Sequence, residues 1–222
     1  MELVGESLMS NRGIISEKLQ KEGVFGCFLY KGFKPEIPIF IPKQAHSSIV
    51  IVFHNKNIEK IADGVLSQSH PVGVRTADCV PVLMSSKGGK FLGAVHAGWR
   101  GVAKGIIINA IALANSRLRI STKNIIISVG PSISSCCYTI GKDVFDTLSL
   151  FWNNTFKRRM LIFKDRKVNL KSFLIEQACM CGVPYDNIEV IDECTHCSEK
   201  FVSRRRDKDN QTQFSYISFW TM

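Results

Sequence analysis

The feature that most constrains the fold is a series of short apolar runs, rich in Val, Ile and Phe and bounded by polar residues. Runs of this length and composition are typical of β-strands. They predict strands at 37–41, 49–53, 72–76, 80–84, 91–95, 124–129, 187–191 and 214–220. No apolar run approaches the ~18 residues of a membrane-spanning helix, so the sequence predicts no membrane span.

Helical periodicity follows some of these runs, with apolar positions at three- and four-residue steps. The segments are 102–118, 142–152 and 170–180. Asn169 is a predicted N-cap for the third, and Gly182 followed by Pro184 is its predicted stop. Several strands in series between helices predict an α+β (mixed α/β) fold. We expect a single domain, residues 1–222, of mixed β-sheets flanked by helices.

Charge and cysteine content narrow the environment and the partners. The chain of 222 residues has 29 Lys and Arg against 19 Asp and Glu, a formal charge of +10. This balance favours anionic partners. The first residues are acidic where a signal peptide is basic, so we expect a cytoplasmic protein. Its eight cysteines are then expected to be reduced thiols.

The segment 70–105 carries most of the chemistry. Cys79, beside Asp78, precedes one predicted strand, and His96 directly follows the FLGAV run of the next. Residues at strand ends often face clefts. His46 stands before the strand at 49–53 and offers a second imidazole. Three ligands of the His, Cys and His type leave one tetrahedral position of zinc open, as in catalytic sites that activate water.

An anion site is expected directly after His96. Arg100 and Gly101 stand at the start of a predicted helix. A guanidinium group beside the N–H groups of a helix start suits phosphate. We therefore take Arg100 and Gly101 as candidate phosphate-binding residues.

Other interpretations of these residues stay open. Cys79 is equally a small buried residue and His96 a hydrogen-bonded turn residue, the commoner roles of both types. A cysteine hydrolase with Cys79 as nucleophile and His96 as base is a rival enzyme. A nucleic-acid-binding module is disfavoured, because aromatic residues do not interleave with Lys and Arg in a recognisable motif. Asp207 and Asp209 interrupt the basic run 204–206, which favours a solvated loop.

Four motifs together resemble the YfiH family, also called the laccase-domain, polyphenol oxidase or peptidoglycan-editing-factor family. They are TADCVPVL, AVHAGWRG, the GPSISSCCYTIG loop and RRRD near the end of the chain. The resemblance runs from about Arg12 to the C-terminus. It implies a YfiH-like fold and a single zinc held by His46, Cys79 and His96. The oxidase name would require several copper ions, which one such set cannot hold.

The resemblance also implies a purine nucleoside enzyme. The implied reactions are phosphorolysis of adenosine, inosine, guanosine or methylthioadenosine and, in many members, deamination of adenosine. For these reactions Asp78 is a candidate for moving protons and Arg100 for holding phosphate. Arg12, in SNRGIIS, matches the family's N-terminal signature and is a candidate substrate contact. The editing-factor name leaves a role in processing cell-wall precursors as an alternative.

Departures from the family pattern leave the three ligand residues in place. Ile14 replaces a glycine of the N-terminal signature, and the histidine segment is QAHSS. The segment between Arg12 and His46 is short for the family, and RRRDKDNQTQFSYISF alters the C-terminal motif. We expect these changes to affect the substrate pocket more than the metal site.

Cys194 and Cys197 lie outside the zinc site that the resemblance implies. Cys194 and Cys197 are spaced as Cys-x2-Cys, which suits tetrahedral zinc, but no partner pair stands at regular spacing. Ordinary loop packing is therefore the favoured interpretation. For Trp99 we likewise favour packing over stacking on a purine.

Overall fold

A computed structural model describes residues 11–54, 60–156, 163–164 and 166–220. Its strands, in chain order, are β1 Gly13–Ile15, β2 Val24–Leu29, β3 Val50–Val52, β4 Gly64–Ser67, β5 Val72–Thr76, β6 Val80–Ser86, β7 Leu92–Ala97, β8 Ile125–Val129, β9 Phe163–Lys164, β10 Lys167–Val168, β11 Ile188–Val190 and β12 Gln213–Phe219. Its helices are α1 Glu17–Gln20, α2 Trp99–Ala103, α3 Ile106–Leu118, α4 Lys142–Phe156, α5 Leu170–Met180 and α6 Arg204–Asp207. Short 3-10 turns stand at Thr122–Asn124 and Tyr185–Asn187.

Two mixed or antiparallel sheets organise the chain. A six-stranded sheet has the order β11-β8-β6-β7-β4-β3, in which the outer pairs β11 with β8 and β4 with β3 are parallel and the inner pairs are antiparallel. A four-stranded antiparallel sheet has the order β1-β2-β12-β5, and β9 pairs with β10 alone. The predicted fold class, mixed sheets flanked by helices, is confirmed.

The six-stranded sheet is buried on both faces. Along β6, Val82 and Met84 pack into one apolar cluster with residues of α3 and α5, whereas Leu83 packs into another with residues of β2, β5 and β12. Because successive side chains of a strand point to opposite faces, one face is covered by helices and the other by the second sheet. This accounts for central strands that are apolar on both faces.

Three of the expected elements differ from the structure. The predicted strand 37–41 is wrong: Phe40 makes a single bridge to Val72, because Pro38 and Pro42 have no N–H group to donate to a ladder. The helix expected over 102–118 begins earlier, at Trp99, and is broken at Gly105, whose φ of +69° ends α2 before α3 begins. The run 204–206, expected to be a loop, forms the short helix α6.

The third predicted helix is confirmed with its cap. The Asn169 side chain accepts a hydrogen bond from the N–H of Ser172 (3.3 Å), and Gly182 follows the end of α5 with a φ of +88°. The remaining predicted strands are present within about two residues at each end. Strands β1, β2, β4, β9 and β10 were not predicted. Among the described residues, no helix combines the length and apolarity needed to cross a membrane.

Candidate metal centre

Strand register brings Cys79 and His96 together. Cys79 immediately precedes β6, and His96 is the penultimate residue of β7. These strands are antiparallel, with Val80 opposite Ala97 and Pro81 opposite His96. Residues 17 positions apart in the chain therefore become neighbours at one end of the sheet.

His46 completes a group of three donors. One ligand atom each from His46, Cys79 and His96 lies within 4.8 Å of the others. The two imidazole rings have centroids 4.8 Å apart and are inclined at 80°. A Cβ atom on Gly98 would lie 3.2 Å from both Cys79 Sγ and His46 Cδ2, so glycine leaves the space that these side chains occupy. A thiol and two imidazoles gathered in this way form a group able to hold a metal ion.

Asp63, which the sequence analysis missed, orients both histidines. Its Oδ1 accepts hydrogen bonds from His96 Nδ1 (2.7 Å) and from the N–H of His46 (3.0 Å). Its Oδ2 accepts from the N–H of Ala45 (3.2 Å) and from the N–H (2.6 Å) and hydroxyl (2.7 Å) of Ser47. The carboxylate is fully buried.

These five hydrogen bonds have two consequences for the donor group. The bond to Nδ1 turns His96 Nε2 toward Cys79, which fixes the nitrogen available to a metal. The bonds to 45–47 hold the loop around His46, whose φ of +57° is uncommon for a residue other than glycine. Asp63 precedes β4, a strand that the sequence analysis also missed, so no pattern pointed to it.

The donor group is polarised before any metal binds. Burial raises the pKa of the Cys79 thiol, but hydrogen bonds with His46 and His96 lower it to about 7. Burial lowers the pKa of His96, but hydrogen bonds with Asp63 and Cys79 raise it to about 9. Although burial acts in the other direction, bonds from His96 and Ser47 hold the pKa of Asp63 well below its usual range. At neutral pH the group thus holds an imidazolium at His96 beside a Cys79 thiol that is close to its pKa.

Asp78 lies beside this group but is engaged elsewhere. Its Oδ1 accepts from the Thr195 hydroxyl and its Oδ2 from the N–H of Arg205, each at 2.7 Å. Its backbone C=O accepts from the N–H of Ile133 (3.0 Å), and its φ is +75°. Asp78, the residue directly before Cys79, therefore holds two segments that are distant in sequence, one at Ile133 and one at 195–205.

Arg100 and Gly101 have separate roles. Arg100 is exposed, and its guanidinium lies over the Trp99 ring, 4.4 Å from the centroid. Gly101 is buried in the first turn of α2, and a Cβ there would lie 2.9 Å from the C=O of Ser47. Glycine at 101 thus allows α2 to pack closely against the loop that carries His46.

Arg12 contacts a different part of the molecule. Its guanidinium forms an ion pair with Glu36, donates to the C=O of Lys34 (3.2 Å) and lies over the Phe33 ring. These contacts order the loop 33–36. The described contacts of Arg12 do not include His46, Cys79 or His96.

Tyr138 and Arg205 are neighbours of the donor group that the sequence analysis did not select. The Arg205 guanidinium lies over the Tyr138 ring, 5.6 Å from its centroid. Burial and the charge of Cys79 raise the pKa of Tyr138 to about 12, while the charges of Arg205 and Arg100 act in the opposite direction. Arg205 therefore lies over a phenol that stays protonated at neutral pH, and the charge of Arg100 also acts on that phenol.

The sequence profile of one protein family covers most of the chain. Residues 29–219 match the family described as multi-copper polyphenol oxidoreductase laccase. The matched region includes all three donor residues and every strand from β3 to β12. The chain belongs to this laccase-domain family.

Related proteins of the laccase-domain family carry an enzyme name. The chain is 32% identical over 180 residues to a purine nucleoside phosphorylase of Clostridium acetobutylicum, covering 79% of this chain and 74% of that protein. It is 32% identical over 191 residues to a purine nucleoside phosphorylase of Aquifex aeolicus, covering 85% and 86%.

Solved structures of the laccase-domain type share the fold. The hypothetical protein YfiH of Bacillus licheniformis aligns with a TM-score of 0.80 at 22% identity, over 94% of this chain and 97% of that one. YlmD of Geobacillus stearothermophilus aligns with a TM-score of 0.80 at 21% identity, over 93% and 94%. The suggested resemblance is thereby confirmed in sequence and in fold.

Proposed function

We propose that this laccase-domain chain is a zinc-dependent purine nucleoside phosphorylase. The proposal rests on one arrangement: three metal donors, His46, Cys79 and His96, lie together, and the charges of Cys79, Arg100 and Arg205 all act on Tyr138. The relatives named purine nucleoside phosphorylase support the choice of reaction. The substrates are then a purine nucleoside, namely adenosine, inosine, guanosine or methylthioadenosine, and inorganic phosphate.

The donor chemistry fits zinc. Thiolate and imidazole are common zinc ligands, and three protein ligands are typical of catalytic zinc. The hydrogen bond from His96 Nδ1 to the Asp63 carboxylate is the kind of support that zinc-bound histidines have in other proteins. When bound, zinc supplies Lewis acidity at its remaining position. A copper cluster would require several donor sets of this kind.

The guanidinium groups suit phosphate. Arg100 and Arg205 offer N–H donors in planar pairs that match phosphate oxygens. Trp99, stacked under Arg100, limits the directions in which that guanidinium points. Tyr138 stays protonated at neutral pH and can donate a hydrogen bond to a phosphate or ribose oxygen. Phosphate held there would attack the anomeric carbon as the carbon–nitrogen bond breaks, and the departing purine takes up a proton.

Asp78 enters this proposal as a positioning residue. Both carboxylate oxygens already accept hydrogen bonds, from Thr195 and Arg205. Asp78 thus sets the position of Arg205 relative to Cys79. For Gly101 and Arg12, direct contacts with substrate stay predictions.

Adenosine deamination is a second activity that the family resemblance implies. It needs a water in place of phosphate, directed at the purine carbon that bears the amine. An open zinc position favours it.

A cysteine hydrolase is the rival enzyme that one observation favours. Asp63, His96 and Cys79 stand in the order carboxylate, imidazole, thiol, which resembles a nucleophile with its base and orienting group. Zinc content distinguishes the two, because a thiolate bound to zinc is not a free nucleophile. Alkylation of Cys79 in metal-replete protein would favour the hydrolase.

Two variants test the proposed roles. Cys79→Ala removes a zinc ligand and should abolish release of free base from a purine nucleoside. Arg100→Ala should retain zinc but raise the KM for phosphate about tenfold or more, the effect of losing one charge-assisted hydrogen bond. Unchanged turnover in Cys79→Ala would refute the zinc role, and an unchanged KM for phosphate in Arg100→Ala would refute the phosphate role.

A further inference from the structure

Four of the eight cysteines converge at a second place. They are Cys136, Cys137, Cys194 and Cys197, and one sulfur of each lies within 4.8 Å of the others. Cys137 Sγ is 3.3 Å and Cys136 Sγ is 3.7 Å from Cys197 Sγ. All eight cysteines of the chain are described, and all are free thiols. We call this group the tetrathiol cluster.

The sheet explains why pairs so distant in sequence meet. Strands β8 and β11 are parallel neighbours, so the loops that follow them leave the same edge of the sheet. Ser132 and Cys194 form a parallel bridge there, with the N–H of Thr195 donating to the C=O of Ser132 (3.1 Å). Each loop then makes a tight turn that carries two cysteines. The partner for the Cys-x2-Cys pair is therefore the adjacent pair Cys136 and Cys137, a spacing that sequence inspection does not associate with zinc.

The sulfur spacing is that of a tetrahedral metal site. Zinc–sulfur bonds of about 2.3 Å at tetrahedral angles place neighbouring sulfurs about 3.8 Å apart. The 3.3 and 3.7 Å separations are close to this value, and all four sulfur atoms lie within 4.8 Å of one another. Among the described residues, no histidine or carboxylate belongs to the cluster. Four thiolates saturate a tetrahedral ion, which is the pattern of structural rather than catalytic zinc.

The polar surroundings of the cluster favour thiolates. The N–H of Ser134 donates to Cys194 Sγ (3.4 Å), which stabilises a negative sulfur. Arg206 donates to the C=O groups of Thr195, His196 and Ser198, and so fixes the turn between Cys194 and Cys197. Lys171 Nζ, itself buried, donates to the C=O of Ile191 (2.7 Å) and Glu193 (3.2 Å) just before that turn. Both cations therefore hold the backbone that carries Cys194 and Cys197.

We propose that the tetrathiol cluster binds a second, structural Zn²⁺ ion. Binding displaces the thiol protons to solvent and involves no change of oxidation state. The ion would clamp the loop 131–141 to the segment 194–207. These same segments contact Asp78 through Ile133, Thr195 and Arg205.

The second ion would thereby influence the candidate metal centre without touching it. Tyr138 directly follows Cys137, and Arg205 lies in α6 beyond Cys197. Loss of the structural zinc should loosen both residues. This consequence rests on the proposed function, whereas zinc binding by the cluster does not.

Metal analysis of the full chain tests the proposal. Protein purified under reducing conditions without added metal should contain two zinc ions per chain. The double variant Cys194→Ser, Cys197→Ser should lose one ion and retain the ion bound by His46, Cys79 and His96. His46→Ala should lose only the other ion. Cys179→Ser, in α5 outside the cluster, is the matched control and should retain both.

A measurement on the unmodified chain covers the case in which the double variant does not fold. Titration with an organomercurial, followed with a chromophoric chelator, should release two zinc ions from the unmodified chain and one from His46→Ala, because Cys79 and the cluster thiols all react. A Co²⁺-substituted cluster should show the absorption of tetrahedral thiolate ligation. A single zinc unaffected by the cysteine substitutions would overturn the proposal. So would a disulfide among the four cysteines, four freely alkylated thiols in the native protein, or iron in place of zinc. None of these results would bear on the phosphorylase assignment, which depends on the other ion.

Discussion

Asp63→Asn should weaken zinc binding at the candidate metal centre, because Asp63 holds both histidines. The substitution preserves volume and removes one acceptor oxygen. If the amide oxygen takes the position of Oδ2, the N–H of His46 and the Nδ1–H of His96 lose their acceptor. If it takes the position of Oδ1, the N–H of Ala45 and the N–H and hydroxyl of Ser47 lose their acceptor instead. Loss of a supporting partner of this kind typically lowers metal affinity about 10- to 100-fold.

The metal-free protein should be destabilised as well. At least two donors lose their acceptor, and since these range from buried at His96 to part-buried at 45–47, the free energy of unfolding should fall by about 1 to 4 kcal/mol. Zinc affinity is measured by competition with a chromophoric chelator, and stability by urea unfolding of the metal-free protein. Asp146→Asn, an exposed residue 4.0 Å from Lys142 on α4, is the matched control and should change neither quantity appreciably. Zinc affinity within twofold of the unmodified protein in Asp63→Asn would refute the reasoning.

Three further predictions concern the same region. Gly98→Ala should lower zinc affinity about tenfold, because the alanine Cβ would crowd Cys79 and His46. Stability should change little, because the φ of −74° at this position suits alanine. Unchanged zinc affinity in the same chelator competition would contradict this prediction. Arg205→Ala should raise the KM for phosphate about tenfold in steady-state assays, whereas Arg204→Ala, on the same helix but bonded to Asp209 and Asn210, should not; equal effects would show that only net charge matters. Zinc affinity should rise about tenfold per pH unit between pH 7 and 9, because in this range His96 must lose its proton to bind zinc while Cys79 has largely lost its own. Below pH 7 the affinity should fall more steeply as pH decreases, because both residues then carry protons. An affinity that does not change with pH would contradict this assignment of the protons.

The parts of the fold that were predictable are those in which local pattern and burial agree. The run 124–129, rich in Ile and free of Gly and Pro, forms strand β8, and 80–84 lies in strand β6 although it contains Pro81. The segment 37–41 is also apolar, but Pro38 within it and Pro42 directly after it have no N–H group to donate to a ladder, and only Phe40 forms a bridge. Strand β2 was missed although all its residues are buried, because Gly26 interrupts the apolar run; a Cβ there would lie 2.7 Å from Leu19, so the glycine is required by close packing.

The candidate site was predictable where each residue stands next to a strand. Cys79 and His96 flank β6 and β7, and antiparallel pairing then makes them neighbours. Asp63 and the pairing of Cys136 and Cys137 with Cys194 and Cys197 were not predictable, because they depend on which strands lie side by side. That order is a property of the whole sheet and not of any local segment. The extent of a single domain over residues 1–222 stays a prediction.

The most direct test of the central claim is the phosphate dependence of nucleoside cleavage by zinc-loaded protein. Adenosine, inosine, guanosine and methylthioadenosine are each incubated with and without inorganic phosphate, and free base and phosphorylated sugar are quantified. We predict release of base and phosphorylated sugar in equal amounts from at least one of these nucleosides, only when phosphate is present. Full zinc occupancy with no turnover of any of the four nucleosides would contradict the assignment.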